Sequence, residues 1–189
     1  MPVGDCEQEV LAAARADGIT FERAIVPWIN RRGHFGLPER AAQALPVLEA
    51  IFTALGGIAK TQSSKTLTPL RGDFLDPTSG TFVEVDESQH FTSFRLVALD
   101  LYPPDAELGF DREEYRDLCA AWAHRSDRYR ANKAAVGFGD GGRQRQRAYN
   151  DALRDLVVPL MGHPPVVRLA APDRNGADAW ARSRHRLVS

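Results

Sequence analysis

The sequence predicts an α/β (α+β) domain in which a mixed β-sheet is flanked by helices. Three observations lead there. Segments with helical apolar spacing bracket a stretch rich in β-branched residues and turn signals. That stretch, residues 58–91, reads as three strands. A short apolar run, "PVVRLA" at 165–170, then returns as a buried strand after the long helices.

At 189 residues the chain fits one domain with its own core. Hydrophobic residues make up 43% and charged residues 26%, the balance of an ordinary soluble protein. The net charge of -1 names no partner by itself. No leader-like segment and no run of membrane-spanning length is present in the sequence, so the expected location is cytoplasmic, with no membrane partner. The two cysteines, Cys6 and Cys119, form no CxxC or zinc spacing.

In chain order, Asp5 and Gln8 form a capping box for a helix to about Ala16, with Gly18 as the stop. "AIVPWI" at 24–29 is apolar and broken by Pro27. Pro38 opens a helix to about Leu55, with Ala42, Leu45, Leu48, Ile51, Phe52 and Leu55 inward. Pro46 kinks or splits it. Threonine-rich residues 58–69 read as an edge strand, "RGDFLD" as a second strand, "PTSG" at 77–80 as a turn and "TFVEVDES" as a third strand. Residues 92–101 read as a helix with Phe94, Val97, Ala98 and Leu101 on one face. Asp111 and Glu114 cap a helix to about Ala135, carrying Tyr115, Leu118, Cys119 and Trp122. A helix from Gly142 to Val158 turns Tyr149, Ala152, Leu153, Leu156 and Val157 inward. The resulting divisions are a helical extension at 1–37, a core at 38–172 and a basic tail at 173–189.

The hairpin concentrates the chemistry. With Thr78 and Ser79 central in the turn, paired positions sum to 157, so Leu75 faces Phe82, Asp73 faces Glu84 and Arg71 faces Asp86. Glu84 and Asp86 share a face because side chains alternate along a strand. Three carboxylates, Asp73, Glu84 and Asp86, therefore gather on one patch, followed by Gln89 and His90. Like charges held together oppose folding unless a cation joins them. Mg²⁺ (or Mn²⁺) takes such a site, with carboxylates, waters and substrate phosphates as ligands. The bound ion activates water and stabilises charge on a phosphodiester.

Charge is distributed to match. Residues 71–100 hold six acids, Asp73, Asp76, Glu84, Asp86, Glu87 and Asp100, against Arg71 and Arg95. Residues 124–148 hold seven bases, including Arg143, Arg145 and Arg147, against Asp127 and Asp140. An acidic spot beside basic flanks suits a polyanion such as DNA. Arg143 and Arg147 share a helical face that Arg145 does not.

Other motifs carry less. "GFGDGG" satisfies GxGxxG at Gly137, Gly139 and Gly142, but a charged helix and not a strand precedes it, so it reads as a connector. His34, His124, His163 and His185 stand singly, without zinc spacing. Trp28, Trp122 and Trp180 read as core or tail anchors.

"RGDF", a turn and "FVEVDESQHF" resemble the PD-(D/E)XK nuclease superfamily, and most closely small bacterial members related to very-short-patch-repair endonucleases. The resemblance covers residues 58–91 and extends beyond them only by element order. It implies a restriction-endonuclease-like mixed sheet and a divalent-metal-dependent endonuclease acting on DNA. It implies metal binding by Asp73, Glu84 and Asp86, with Gln89 and His90 orienting water or the scissile phosphate. Arg71, Arg95, Arg143 and Arg147 become the nucleic-acid contacts, and a homodimer is compatible with the reading. The superfamily's usual lysine is replaced by Asp86, as in the subgroup, and Glu87 stands where the subgroup often has glycine. Lys65 or His90 is then the candidate for handling protons. The missing lysine also supports an alternative, a catalytically inactive nuclease-like fold that binds nucleic acid or a partner protein.

Overall fold

The computed structural model describes residues 4–187. Among them are seven α-helices and four strands. They are α1 Asp5–Ala16, β1 Glu22–Arg23, α2 Leu45–Ala54, α3 Ala59–Ser63, β2 Phe74–Asp76 and β3 Thr81–Glu87. After these come α4 Ser93–Asp100, α5 Arg112–Ser126, α6 Arg143–Val157, β4 Val167–Ala171 and α7 Gly176–Ser183. No described helix is long and apolar enough to cross a membrane.

The four strands form one open mixed sheet in the order β1-β2-β3-β4. β1, β2 and β3 run antiparallel in succession, and β4 joins β3 in parallel. The hairpin register is the one that "PTSG" dictates: Phe74 pairs with Val83, Leu75 with Phe82 and Asp76 with Thr81. Asp76 builds the turn itself, accepting from Thr78 N at 3.0 Å and Ser79 Oγ at 2.6 Å. Gly80 closes it at φ 73, a conformation glycine adopts at no steric cost.

Alternation then sorts the sheet into two faces. Phe74, Val83, Val85, Val167, Leu169 and Ala171 lie in one apolar cluster with Val10 and Ala14 of α1 and Ala179 and Trp180 of α7. Phe82 on the other face joins the larger cluster built with α2, α4, α5 and α6. The result is helices on both sides of the sheet.

Several expectations are corrected. The edge strand is Glu22–Arg23. Residues 58–69 instead supply the short helix α3 and a single bridge from Pro69 to Asn30. Pro46 does split the second helical segment. Glu39–Ala44 is 3₁₀, and α2 starts at Leu45 with Pro46 in its first turn. The tighter 3₁₀ turn shifts the phase, so Ala41 and Ala44 are buried while Ala42 and Leu45 are exposed. α4 is rotated from its expected face: Arg95, Ala98 and Leu99 are buried, and Val97 and Leu101 are exposed. α5 ends at Ser126 and not near Ala135. Residues after Asp173 are no mere basic tail. They include α7, whose Trp180 is 2% exposed and donates from Nε1 to Asp17.

Candidate metal centre

Phe82, Glu84 and Asp86 alternate with Val83 and Val85 along β3. Glu84 and Asp86 therefore point toward the layer formed by α4, α5 and α6. Arg168, the second residue of β4, pairs in register with Glu84 and emerges on the same face. Burying this charged row requires partners, and the helices supply them. α6 contributes Asp151, Arg154 and Asp155, α4 contributes Arg95, and α5 contributes Tyr115.

Asp73 and Glu84 meet as the register requires. Asp73 N donates to Glu84 Oε1 at 3.3 Å, and Val85 N donates to Asp73 Oδ2 at 2.8 Å. Arg154 Nε lies 3.3 Å from Glu84 Oε1. Burial raises the Glu84 carboxyl to about 8 against the opposing pull of Arg154. Burial also raises Asp73, despite the Val85 N–H.

Asp86 belongs to a second group. Arg168 Nη1 reaches both of its oxygens at 3.0 and 2.9 Å, and Tyr115 Oη donates at 3.2 Å. The 3₁₀ turn Ser88–His90 lifts the chain off β3 and sets His90 Nδ1 3.1 Å from Asp86 Oδ1 and 3.0 Å from Asp151 Oδ2. Donor atoms of Asp86, His90 and Asp151 all lie within 4.8 Å of one another, close enough to share one ion. Asp73 and Glu84 stand outside that group, so the convergent set differs from the expected Asp73, Glu84 and Asp86. Only His90 among the three opens noticeably to solvent, at 18% side-chain exposure against 1% for Asp86 and 2% for Asp151.

The charges nearly balance without an ion. Arg168 Nε bonds Asp155 Oδ1 and Arg95 Nη2 bonds Asp155 Oδ2, both at 2.7 Å. Three carboxylates, Asp86, Asp151 and Asp155, thus face two guanidiniums, and a proton on His90 closes the balance. Burial opposes that proton, but Asp151 and Asp86 outweigh it and raise the imidazole. Burial likewise works against the Asp151 carboxylate, yet His90 and Arg168 hold it well below the usual range. A divalent ion can take the place of that proton. Two carboxylates and an imidazole suit Mn²⁺, Fe²⁺ or Zn²⁺ better than Mg²⁺, which favours oxygen ligands alone.

The remaining expected site residues fall in several places. Gln89 turns its amide to Glu87 at 3.3 Å, and its carbonyl accepts from Arg147. Its side chain therefore does not face the cluster. Arg95 is 1% exposed and committed to Asp155 and Tyr102, so it is not a nucleic-acid contact. Arg71 is exposed, and its carbonyl accepts from Arg154 Nη2. Arg143 and Arg147 are half-buried on α6. Lys65 follows α3, where its ammonium bonds Gln62, and His90 is the residue beside the carboxylates.

Asp151 is the member of this cluster that sequence reasoning missed. A polar residue in a helix reads as solvated until its partner is known. The available signal was Arg168, a charge inside the apolar run "PVVRLA", which demands buried acids.

The chain belongs to a family of unknown function, DUF7255, whose model matches residues 50–188. That span contains every member of the cluster. No curated protein and no solved structure shows a significant match to the chain.

Proposed function

We propose that the protein is a divalent-metal-dependent phosphodiesterase, an endonuclease acting on DNA. Asp86, His90 and Asp151 hold the ion, with Mn²⁺ the best match to the donor set. The carrying observation is the convergence of these three side chains within 4.8 Å, at a point that only His90 opens to solvent. When bound, the ion activates water and neutralises charge on the phosphate. Glu84, raised to about 8, remains protonated at neutral pH and serves as proton donor. Hydrolysis adds water across one P–O bond: the water oxygen bonds phosphorus, Glu84 gives its proton to the departing oxygen, and the proton shed by the attacking water restores Glu84 through solvent. The sheet order supports the finer reading of a restriction-endonuclease-like fold: three antiparallel strands, then helices, then a parallel fourth strand.

A second reading is favoured by Arg168. Its guanidinium already engages both oxygens of Asp86, so the cluster also makes sense as a structural charge network in a catalytically silent fold. Mn²⁺ calorimetry on the wild type beside Asp151→Asn separates the two. Saturable heat that vanishes in the variant supports the metal centre. No heat from either Mn²⁺ or Mg²⁺ with the wild type overturns it.

A further inference from the structure

A cleft of about 470 Å³ opens between the segment that follows α3 and the first half of α6. Arg31, Lys65 and Arg143 line it, with Gln146, Asn150 and an apolar strip that includes Val136, and no carboxylate is among the lining residues. None of the three cations pairs with an acid among the described residues. Uncompensated positive charge in a concave site focuses the field and recruits anions.

The cleft is built and not merely charged. Gln62, 2% exposed, accepts from Lys65 Nζ at 2.6 Å through Oε1 and donates from Nε2 to the Arg31 carbonyl at 2.8 Å. One buried amide thus holds the Lys65 ammonium and anchors the backbone of Arg31. Gln146 Oε1 holds Arg143 Nη1 at 2.9 Å, while Arg143 Nε is buried with no partner. Burial and Arg31 together lower Lys65, the cost expected when a cation is held without its counter-ion.

Position links the cleft to the metal centre. Arg143, Gln146 and Asn150 mark one stripe of α6, and Asp151 follows Asn150. Arg147, on the same helix, donates to the carbonyl of Gln89, next to His90. At about 1.5 Å rise per residue, Arg143 lies roughly 12 Å along the axis from Asp151. A nucleic-acid strand advances about 3.4 Å per phosphate along its axis, so a few nucleotides bridge the two points.

We propose that this cleft seats the phosphodiester backbone of the strand flanking the bond to be cut, an assignment that takes its direction from the nuclease reading. The cleft is wider than one phosphate needs and open to the surface, which suits a continuing chain. Its apolar strip, with Val136 exposed to solvent, offers sugar and base an apolar wall.

The test is anisotropy of a labelled 15-nucleotide single strand and the matching duplex with the full chain, in EDTA, over a salt series. The double variant Lys65→Gln/Arg143→Gln should lose at least tenfold in affinity at low salt. Its log–log salt slope should shrink by about 1.5, the share of two phosphate contacts. Lys65→Arg/Arg143→Lys should keep most of the binding, and Arg15→Gln on α1 should keep all of it. Thermal melts confirm that each variant is folded. Unchanged affinity in the Gln double variant overturns the cleft assignment, as does a wild type that binds neither strand. Inorganic pyrophosphate binding at the cleft in preference to the strand also overturns it. Because EDTA removes the ion, strand binding through the cleft without cleavage under any metal leaves this assignment standing and removes only the catalytic one.

Discussion

Arg168 and Asp86 meet in the dry interior, one guanidinium nitrogen lying 3.0 and 2.9 Å from the two carboxylate oxygens. Asp86 pairs in register with Ala170, so Arg168 reaches diagonally across the parallel ladder to find it. Removing one partner of such a pair costs about 3–5 kcal/mol, because the other charge stays buried. Arg168→Met should therefore lose about that much in urea denaturation. If Asp86, His90 and Asp151 bind a cation, Mn²⁺ should restore part of the loss, about 2.7 kcal/mol at a hundredfold excess over its Kd. A variant that is destabilised yet indifferent to Mn²⁺ would mark the cluster as purely structural.

Stability should fall as the solution is made alkaline. The folded Glu84 carboxyl sits at about 8, against 4.5 for the ordinary group. Its contribution is complete below 4.5 and is lost as pH rises toward 8, because the unfolded chain ionises first. At about 1.4 kcal/mol per pH unit, the loss amounts to several kcal/mol. His90 adds to it with the same sign: its raised value keeps stability below 6.5 and gives it up as pH climbs through the folded value. Asp151 acts oppositely, since its contribution is present above 3.8 and disappears on acidification. The maximum should lie in mild acid. Asp73, also raised by burial, acts with the same sign above 3.8, so Glu84→Gln should reduce the slope between pH 4.5 and 6.5, where His90 is silent, without abolishing it, and an unaltered slope there would contradict the assignment.

Gly72 owes its identity to Glu84. A Cβ at that position would lie 2.5 Å from Glu84 Oε1 and 3.0 Å from the Ala24 Cβ. Gly72→Ala should cost about 1–3 kcal/mol, the usual penalty of overpacking. It should also weaken the pH dependence attributed to Glu84, since the carboxyl has to move. Full stability with an unchanged pH profile would show that Ala24 yields instead.

Trp180 tests the second face of the sheet. It packs with Phe74, Val83 and Leu169 and bonds Asp17. Trp180→Ala should lose about 3–5 kcal/mol by calorimetry, a core residue's cost and not a tail's.

The parts of this fold that were readable from sequence are those set by local chemistry. "PTSG" determined a register because Asp76, Ser79 and Gly80 build the turn within a few residues. The apolar stripe of α6, Tyr149, Ala152, Leu153, Leu156 and Val157, is buried as its spacing implies. The parts that were not readable depend on long-range pairing. Arg95 faces inward because Asp155, 60 residues away, receives it, and this turned α4 off its apolar face. Glu22–Arg23 has no apolar pattern and is a strand only because β2 offers an edge. Asp151 joined the site by the same route: periodicity registers apolar residues, and a buried acid is visible only once its partner is placed.

Cleavage should depend on the identity of the ion. Mn²⁺ should support it best, Mg²⁺ less well and Ca²⁺ not at all. An imidazole among the ligands disfavours the hard oxygen-seeking ions, and the looser coordination and weaker Lewis acidity of Ca²⁺ allow binding without chemistry. Metal affinity should rise with pH. The ion must displace the proton that Asp151 and Asp86 hold on His90, so acid competes with metal. Cleavage itself should decline above about pH 8, where Glu84 loses the proton it donates. The two limbs give a bell, and each has its own variant. His90→Gln should weaken Mn²⁺ binding, because it removes a ligand, and free the remaining affinity of its acid limb, and Glu84→Gln should lower the rate by a factor of about 10²–10⁴ while leaving Mn²⁺ calorimetry intact. A plasmid and a short duplex, incubated with each metal across pH 5–9, read all of this at once. Cleavage that persists in EDTA, or in Asp151→Asn, would refute the mechanism. So would a rate that keeps climbing past pH 9 in the wild type.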